Sequence, residues 1–385
     1  MAAVLLVFGV LGFAVDGVSK LWGAKSSPDP PEQVELVTKS EDGNGDESVR
    51  PGQGPFLFDT DSEFTAPPPP SDVGRRSALK ELEDARKKMD WRSVIDWNLR
   101  IGAMDIWSPY FILALVAGLV WAIIAAQFAG FSRFQIGLYA AALVLGIFSA
   151  TLTIIVLEIQ TMRGFVEGET FSSRMIYMVA GIGLREEVAK LLCFAPLLIF
   201  LRKRSEIEAL VVGGMVGLGF AINENIHYYM QGSVVDAFAR LITANFLHLA
   251  MTALISRALF RMMLRPKRHW EEFLGTFLAV VVFHGLYDAF LSVPELEGFS
   301  LLALVCLAVM AYYFCDLLGK IGRVGRNLAF APVAVLVIGL AVLIGCVYLY
   351  ACWRQSPFIA AMVCVQPLFV LFPIVAMFVQ RLRDY

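Results

Sequence analysis

The chain has 385 residues, of which 58% are hydrophobic and 17% charged, and its mean hydropathy is +0.66. That is too apolar for an ordinary soluble domain of this length. A formal net charge of −2 and a pI near 6.1 leave no basic excess for nucleic acid. An all-α, polytopic transmembrane helical bundle is expected, because the bilayer core admits only backbones that satisfy their own hydrogen bonds.

In chain order, Met1 to Val15 forms a short apolar run with no Lys or Arg before it, read as an uncleaved hydrophobic anchor within 1–23. The next stretch, 24–76, holds Ser27-Pro28-Asp29-Pro30-Pro31, the acidic segment Glu41 to Glu47 and Pro67 to Pro70, and reads as a disordered linker. Over 77–107, Leu79, Leu82, Met89, Trp91, Val94, Ile95 and Ile101 alternate with charged residues in the pattern of an amphipathic interfacial helix. Apolar runs long enough to cross a ~30 Å hydrocarbon core follow. They lie near 108–130, 134–161, 174–201, 208–229, 236–260, 273–292, 299–317, 329–351 and 358–380. These nine spans divide into a core over 108–292 and a C-terminal set of helices over 293–385. The six cysteines show no C-x-x-C pair and read as packing residues.

Every second short loop is basic: Arg202-Lys203-Arg204, then Arg261, Arg265, Lys267 and Arg268, then Lys320, Arg323 and Arg326, then Arg381 and Arg383. The positive-inside rule places these loops and the C-terminus in the cytoplasm. Counting back puts 24–107 outside, where Arg75, Arg76, Lys80, Arg86, Lys87 and Lys88 run against the rule.

Ionisable residues inside apolar spans cost roughly 2.5–3.5 kcal/mol each on insertion scales, so a cluster of them points to function. Glu186, Glu187 and Lys190 lie within one turn, so one carboxylate can pair with the lysine while the other holds a water. Phe220, Glu224 and Tyr228 share a helix face, with Asn225 beside them, after the small residues Gly213, Gly214, Gly217 and Gly219 that permit close helix approach. His248 belongs to a polar stripe with Asn245 and Thr252, and His284 precedes Asp288 by one turn, where a carboxylate can orient an imidazole. Read singly, each group is as compatible with a charge network that staples helices. Counting ~1.5 Å per residue from the assigned outer ends puts Glu186 and His248 roughly 18 Å deep, His284 12 Å and Glu224 7 Å, between the outer edge and the midplane.

In this order, Glu-Glu-x-x-Lys, Phe-x-x-x-Glu-Asn-x-x-Tyr, an intervening His and His-x-x-x-Asp resemble the PrsW family of intramembrane proteases, over roughly 174–292. The family is related to CAAX-processing endopeptidases and bacteriocin-immunity membrane proteins. The CAAX-type enzymes have His at the Glu224 position and Asn at the Asp288 position, and His248-Leu249-Ala250-Met251-Thr252 matches its element loosely. The resemblance implies a glutamate-dependent peptidase without metal or other cofactor, in a bacterial plasma membrane. It further implies a membrane-anchored protein substrate of the anti-sigma-factor kind, cut near the outer face.

The chemistry expected is hydrolysis by a water that Glu186 or Glu187 activates, assisted by Glu224 or His248, with His284 and Asn225 at the oxyanion. Asp288 would orient His284, Lys190 would hold the Glu pair in register, and Phe220 and Tyr228 would shape the wall. Three other readings stay open: a metal-dependent protease with Glu and His ligands, a proton- or ion-coupled transporter, and a scaffold that binds partners through 24–107.

Overall fold

The computed structural model describes residues 72–106, 108–231, 239–321, 331–354 and 356–383. The anticipated anchor, and the linker as far as residue 71, lie outside these residues. Every regular element among them is helical. The first two, α1 (Asp72–Lys87) and α2 (Trp91–Ile106), form a hairpin. This differs from the single interfacial helix expected over 77–107. The physical reason is Asp90, whose carboxylate accepts hydrogen bonds from the Arg92 and Ser93 amides and starts a new helix, while Met89 turns with a φ of 52°. Helix α1 also begins inside the stretch assigned to the linker. Ala78, Leu82, Ala85, Val94 and Ile101 give the hairpin a small core of its own. Arg86 on α1 pairs with the buried Glu158 of the bundle, and Arg75 donates to Asp105 at 2.8 Å.

Each long helix starts where the sequence provides a cap. Ser108 caps α3 (Pro109–Ala129), whose first residue is a proline that has no amide to leave unsatisfied. Ser132 and Gln135 form a capping box on α4 (Arg133–Met162). The span expected at 174–201 is broken into pieces. It comprises α5 (Phe171–Ile176), a π-helical stretch Tyr177–Gly183, α6 (Leu184–Phe194), a 3-10 turn Ala195–Leu197 and α7 (Leu198–Leu201). Pro196 lacks the amide that would continue the ladder, and π-bulges are frequent beside functional sites.

There follow α8 (Glu206–Gln231), a helical turn over 239–242, α9 (Ala244–Leu264) and α10 (Pro266–Ser292). A 3-10 turn Pro294–Phe299 leads to α11 (Leu301–Ile321), α12 (Pro332–Arg354) and α13 (Pro357–Leu382). Seven helices among the described residues are long and apolar enough to cross a membrane: α3, α4, α8, α9 with its lead-in, α10, α11 and α12. Nine were expected. The interrupted 174–201 segment accounts for one difference, and in α13 the stretch Phe372–Leu382 qualifies only as a shorter apolar helix.

Helix α8 occupies the centre, enclosed by α3, α4 and α9, and its most apolar window is 89% buried. A ring cluster of Trp121, Phe246, Phe314 and Phe378 ties α3, α9, α11 and α13 together, with centroids 4.7–5.8 Å apart. The Trp121 indole N–H donates to the Leu241 carbonyl at 2.9 Å, which anchors the turn before α9.

Central packing depends on backbone contact at Gly217. A Cβ there would stand 2.1 Å from the His248 carbonyl oxygen, so α8 and α9 can meet this closely only without a side chain. Gly217→Ala is expected to destabilise the protein by about 1–3 kcal/mol, the range for overpacking. Thermal unfolding in detergent micelles reads this out against Gly137→Ala, where a Cβ meets nothing within 4 Å. Equal midpoints for the two variants would contradict the packing described.

Candidate active site

Four helices bring the buried charges together. Helix α6 carries Glu186, Glu187 and Lys190, α8 carries Phe220, Glu224, Asn225 and Tyr228, α9 carries His248, and α10 carries His284 and Asp288. Helix α10 reaches the π-helical stretch through a second close approach. A Cβ on Gly183 would lie 2.7 Å from the Val281 carbonyl, and one on Gly285 would lie 2.5 Å from the Val179 Cα. This contact sits one residue from His284 and three from Glu186, so it fixes how near those two side chains stand.

At the centre is Lys190, fully buried. Its Nζ donates to Glu187 Oε1 at 2.8 Å and to His248 Nδ1 at 2.9 Å, lies 3.5 Å from Glu186 Oε2, and stands 4.0 Å from the centroid of the Phe220 ring. An ammonium has no lone pair, so His248 must accept at Nδ1 and carry its proton on Nε2. That Nε2–H donates to Glu224 Oε2 at 2.9 Å. His284 is held the other way. Its Nδ1–H donates to Glu187 Oε1 at 2.8 Å, which leaves Nε2 facing Glu186 Oε2 and Asp288 Oδ2, each at 3.5 Å. The two imidazoles meet edge to face with centroids 5.4 Å apart.

The glutamates therefore differ in what they can do. Glu187 Oε1 accepts from both Lys190 and His284, so this carboxylate is a structural hinge. Glu186 Oε2 is buried and has no hydrogen-bond partner within the protein. Glu187 Oε2 is likewise buried without a hydrogen-bond partner, but Glu186 Oε2 stands 3.5 Å from His284 Nε2, a spacing at which the two can share a water. Arg185 stays out of the cluster, donating instead to Gln160 Oε1 at 2.7 Å.

Glu187 is the carboxylate in close contact with His284, whereas Asp288, the orienting partner expected from sequence, stands farther off at 3.5 Å. Asn225, expected at the oxyanion, is fully buried and has its amide engaged. It donates to Asn245 Oδ1 at 3.1 Å and accepts from Arg240 Nε at 2.7 Å. Phe220 lies under Lys190 and His248, and Tyr228 is 41% exposed at the rim, where Glu224 and Asp288 also keep partial access. The cluster therefore opens beside Tyr228.

Sequence reasoning passed over Arg240, which donates to Glu224 Oε2 at 2.6 Å and stacks its guanidinium 3.5 Å over the Tyr228 ring. The signal was available: a single arginine between Ala239 and Leu241, inside an otherwise apolar run.

Residues 135–315, from α4 into α11, match the family described as PrsW family intramembrane metalloprotease. Over this segment the chain is similar to the PrsW family. The Glu-Glu-x-x-Lys, Glu224, His248 and His284 elements of the PrsW resemblance all fall inside it, so the chain contains an intramembrane protease region with membrane-crossing helices. The chain has no match among curated proteins or solved structures.

The family's description raises the question of a metal. Glu186, His248 and His284 each offer a ligand atom, all within 4.8 Å of one another. A metal ligand needs a free lone pair, and His248 has none in this arrangement, with Nδ1 accepting from Lys190 and Nε2–H donating to Glu224. A three-ligand site would also place a divalent cation beside the Lys190 ammonium. As hydrogen-bonded, the residues do not fit a metal held by all three groups, although Glu186 and His284 each have an atom directed at the same space.

Removing the central cation should unbalance everything around it. Lys190→Met leaves the buried Glu187 without its charge partner, and breaking one side of such a pair costs about 3–5 kcal/mol. Thermal unfolding of the purified variant is expected to show that loss. An unchanged midpoint would mean that Lys190 does not hold the cluster together.

Proposed function

We propose that the protein is a glutamic-type intramembrane endopeptidase in which Glu186 activates the attacking water and His284 handles the proton. The observation that carries this is the Glu186 oxygen: buried, without a hydrogen-bond partner, 3.5 Å from the Lys190 ammonium and 3.5 Å from an imidazole nitrogen whose opposite side is fixed by Glu187. A water seated against Glu186 Oε2 loses a proton to that carboxylate as its oxygen attacks the scissile carbonyl carbon. The proton passes to His284 Nε2 and then to the departing amine nitrogen as the C–N bond breaks. Glu187 supports this by accepting the Nδ1–H throughout, which stabilises the imidazolium. The transient oxyanion lies near two positive charges, Lys190 and the protonated His284.

The substrate class follows from access. The opening lies beside Tyr228, Glu224 and Asp288, at the end of α8 and α10 away from the basic loops. With those loops cytoplasmic, cleavage falls toward the outer side of the membrane. A membrane-anchored protein that presents an extended segment at that level is the fitting substrate, and family likeness favours an anti-sigma-factor-like one.

A second reading, metal-dependent hydrolysis, has one observation in its favour, the convergence of Glu186, His248 and His284. It requires His248 to release either Lys190 or Glu224.

Cleavage by the purified protein in proteoliposomes, followed on a membrane-anchored reporter, tests both readings. Glu186→Gln is expected to lower kcat by ~10²-fold or more while the unfolding midpoint stays near that of the native protein. Wild-type activity is expected to survive chelator treatment, with no stoichiometric metal found by elemental analysis. Full activity of Glu186→Gln would end the proposal, and activity lost to chelation and restored by zinc would transfer the reaction to the second reading.

A further inference from the structure

Arg240 lies outside every motif that identifies the site, yet the hydrogen-bond chain through the site begins with it. We infer that Arg240 is a positioning residue for the reaction, setting the tautomer of His248 through Glu224 and thereby the placement of the Lys190 charge. This rests on the hydrolytic reading above.

Each link has a fixed direction. A guanidinium can only donate, so Glu224 Oε2, which takes the Arg240 Nη2–H at 2.6 Å, is held as an ionised acceptor. The same oxygen accepts the His248 Nε2–H at 2.9 Å, which keeps the proton off Nδ1. The Nδ1 lone pair then receives Lys190 Nζ at 2.9 Å, and Lys190 spans to Glu187 at 2.8 Å with Glu186 3.5 Å away. Arginine at one end and lysine near the other therefore define one proton arrangement for the groups between them. Lys190 disfavours an Nδ1–H from one side of the ring and the ionised Glu224 calls for an Nε2–H from the other; without Arg240, Glu224 loses its guanidinium partner and the constraint from that side is relaxed.

The position is built to keep this direction. Arg240 Nε donates to Asn225 Oδ1 at 2.7 Å, while the Asn225 amide donates to Asn245 at 3.1 Å. Asn245 in turn donates to the Leu241 carbonyl at 3.3 Å, the same carbonyl that Trp121 holds at 2.9 Å. The guanidinium plane rests 3.5 Å above Tyr228. The two buried asparagines of α8 and α9 thus serve to seat an arginine, and they bridge the helices that carry Glu224 and His248.

The test uses the full-length protein, 15N-labelled at its four histidines, with Arg240→Gln, Arg240→Lys and His248→Gln compared in micelles and in proteoliposomes. In the native protein the ring nitrogens of His248, assigned by loss of their signals in His248→Gln, are expected to show the Nε2–H tautomer. Arg240→Gln should move them toward a mixture and lower kcat about tenfold or more with KM unchanged. Arg240→Lys, which keeps a donor and a charge, should restore the tautomer and most of the rate. His248 signals unmoved in Arg240→Gln would overturn the inference, as would a kcat that falls only with the folded fraction. If the native protein cleaves no reporter, the protease reading fails, while the histidine signals still decide whether Arg240 sets the tautomer.

Discussion

A lysine ammonium placed in an apolar bundle must be surrounded by acceptors, and the organisation of this protein follows from how Lys190 meets that demand. Its charge is shared among Glu187, Glu186 and His248, which belong to two different helices, and Glu187 in turn holds His284 on a third. Desolvation makes each of these groups unfavourable alone. Together they form a set that is satisfied only when α6, α8, α9 and α10 stand in one register. The glycine contacts at Gly217, Gly183 and Gly285 permit that register, because a side chain at any of them would drive the helices apart.

The same demand differentiates chemically similar groups. Glu186 and Glu187 are neighbours in sequence and each keeps one buried oxygen without a hydrogen-bond partner, but the lysine and His284 both donate to the other oxygen of Glu187, whereas Glu186 faces the remaining nitrogen of His284. The two histidines are likewise assigned opposite tautomers by their partners. In the mechanism we propose, reactivity resides beside Glu186 and the free nitrogen of His284, which stand 3.5 Å apart.

Much of this was legible in the sequence for a local reason. Spacings of three and four residues within a helix decide which side chains share a face, so the Glu186, Glu187 and Lys190 grouping and the Phe220, Glu224 and Tyr228 face could be read directly. Non-local partners could not. The close contact of His284 is Glu187, 97 residues away, rather than Asp288 one turn along its own helix. Arg240 escaped notice for the same reason, since its meaning depends on Glu224 and Asn225 across a helix interface. The broken helix ahead of Glu186 was hidden because Tyr177–Gly183 has the composition of an ordinary apolar span, and its 7 residues are too few and too uniformly apolar to reveal the wider period of a π-helix. The hairpin break was within reach, as Asp90 two residues before Arg92 and three before Ser93 is a capping pattern inside an amphipathic run.

In the proposed mechanism the Lys190 network creates a water-binding point between Glu186 and His284. A crystal structure at a resolution that places ordered solvent, with anomalous data recorded across the zinc edge, tests it most directly. A peak without anomalous signal is expected within hydrogen-bond distance of Glu186 Oε2 and His284 Nε2, with His248 still bonded to Lys190 and Glu224. An anomalous peak ligated by Glu186, His248 and His284, with the Lys190 contact to His248 broken, would contradict it.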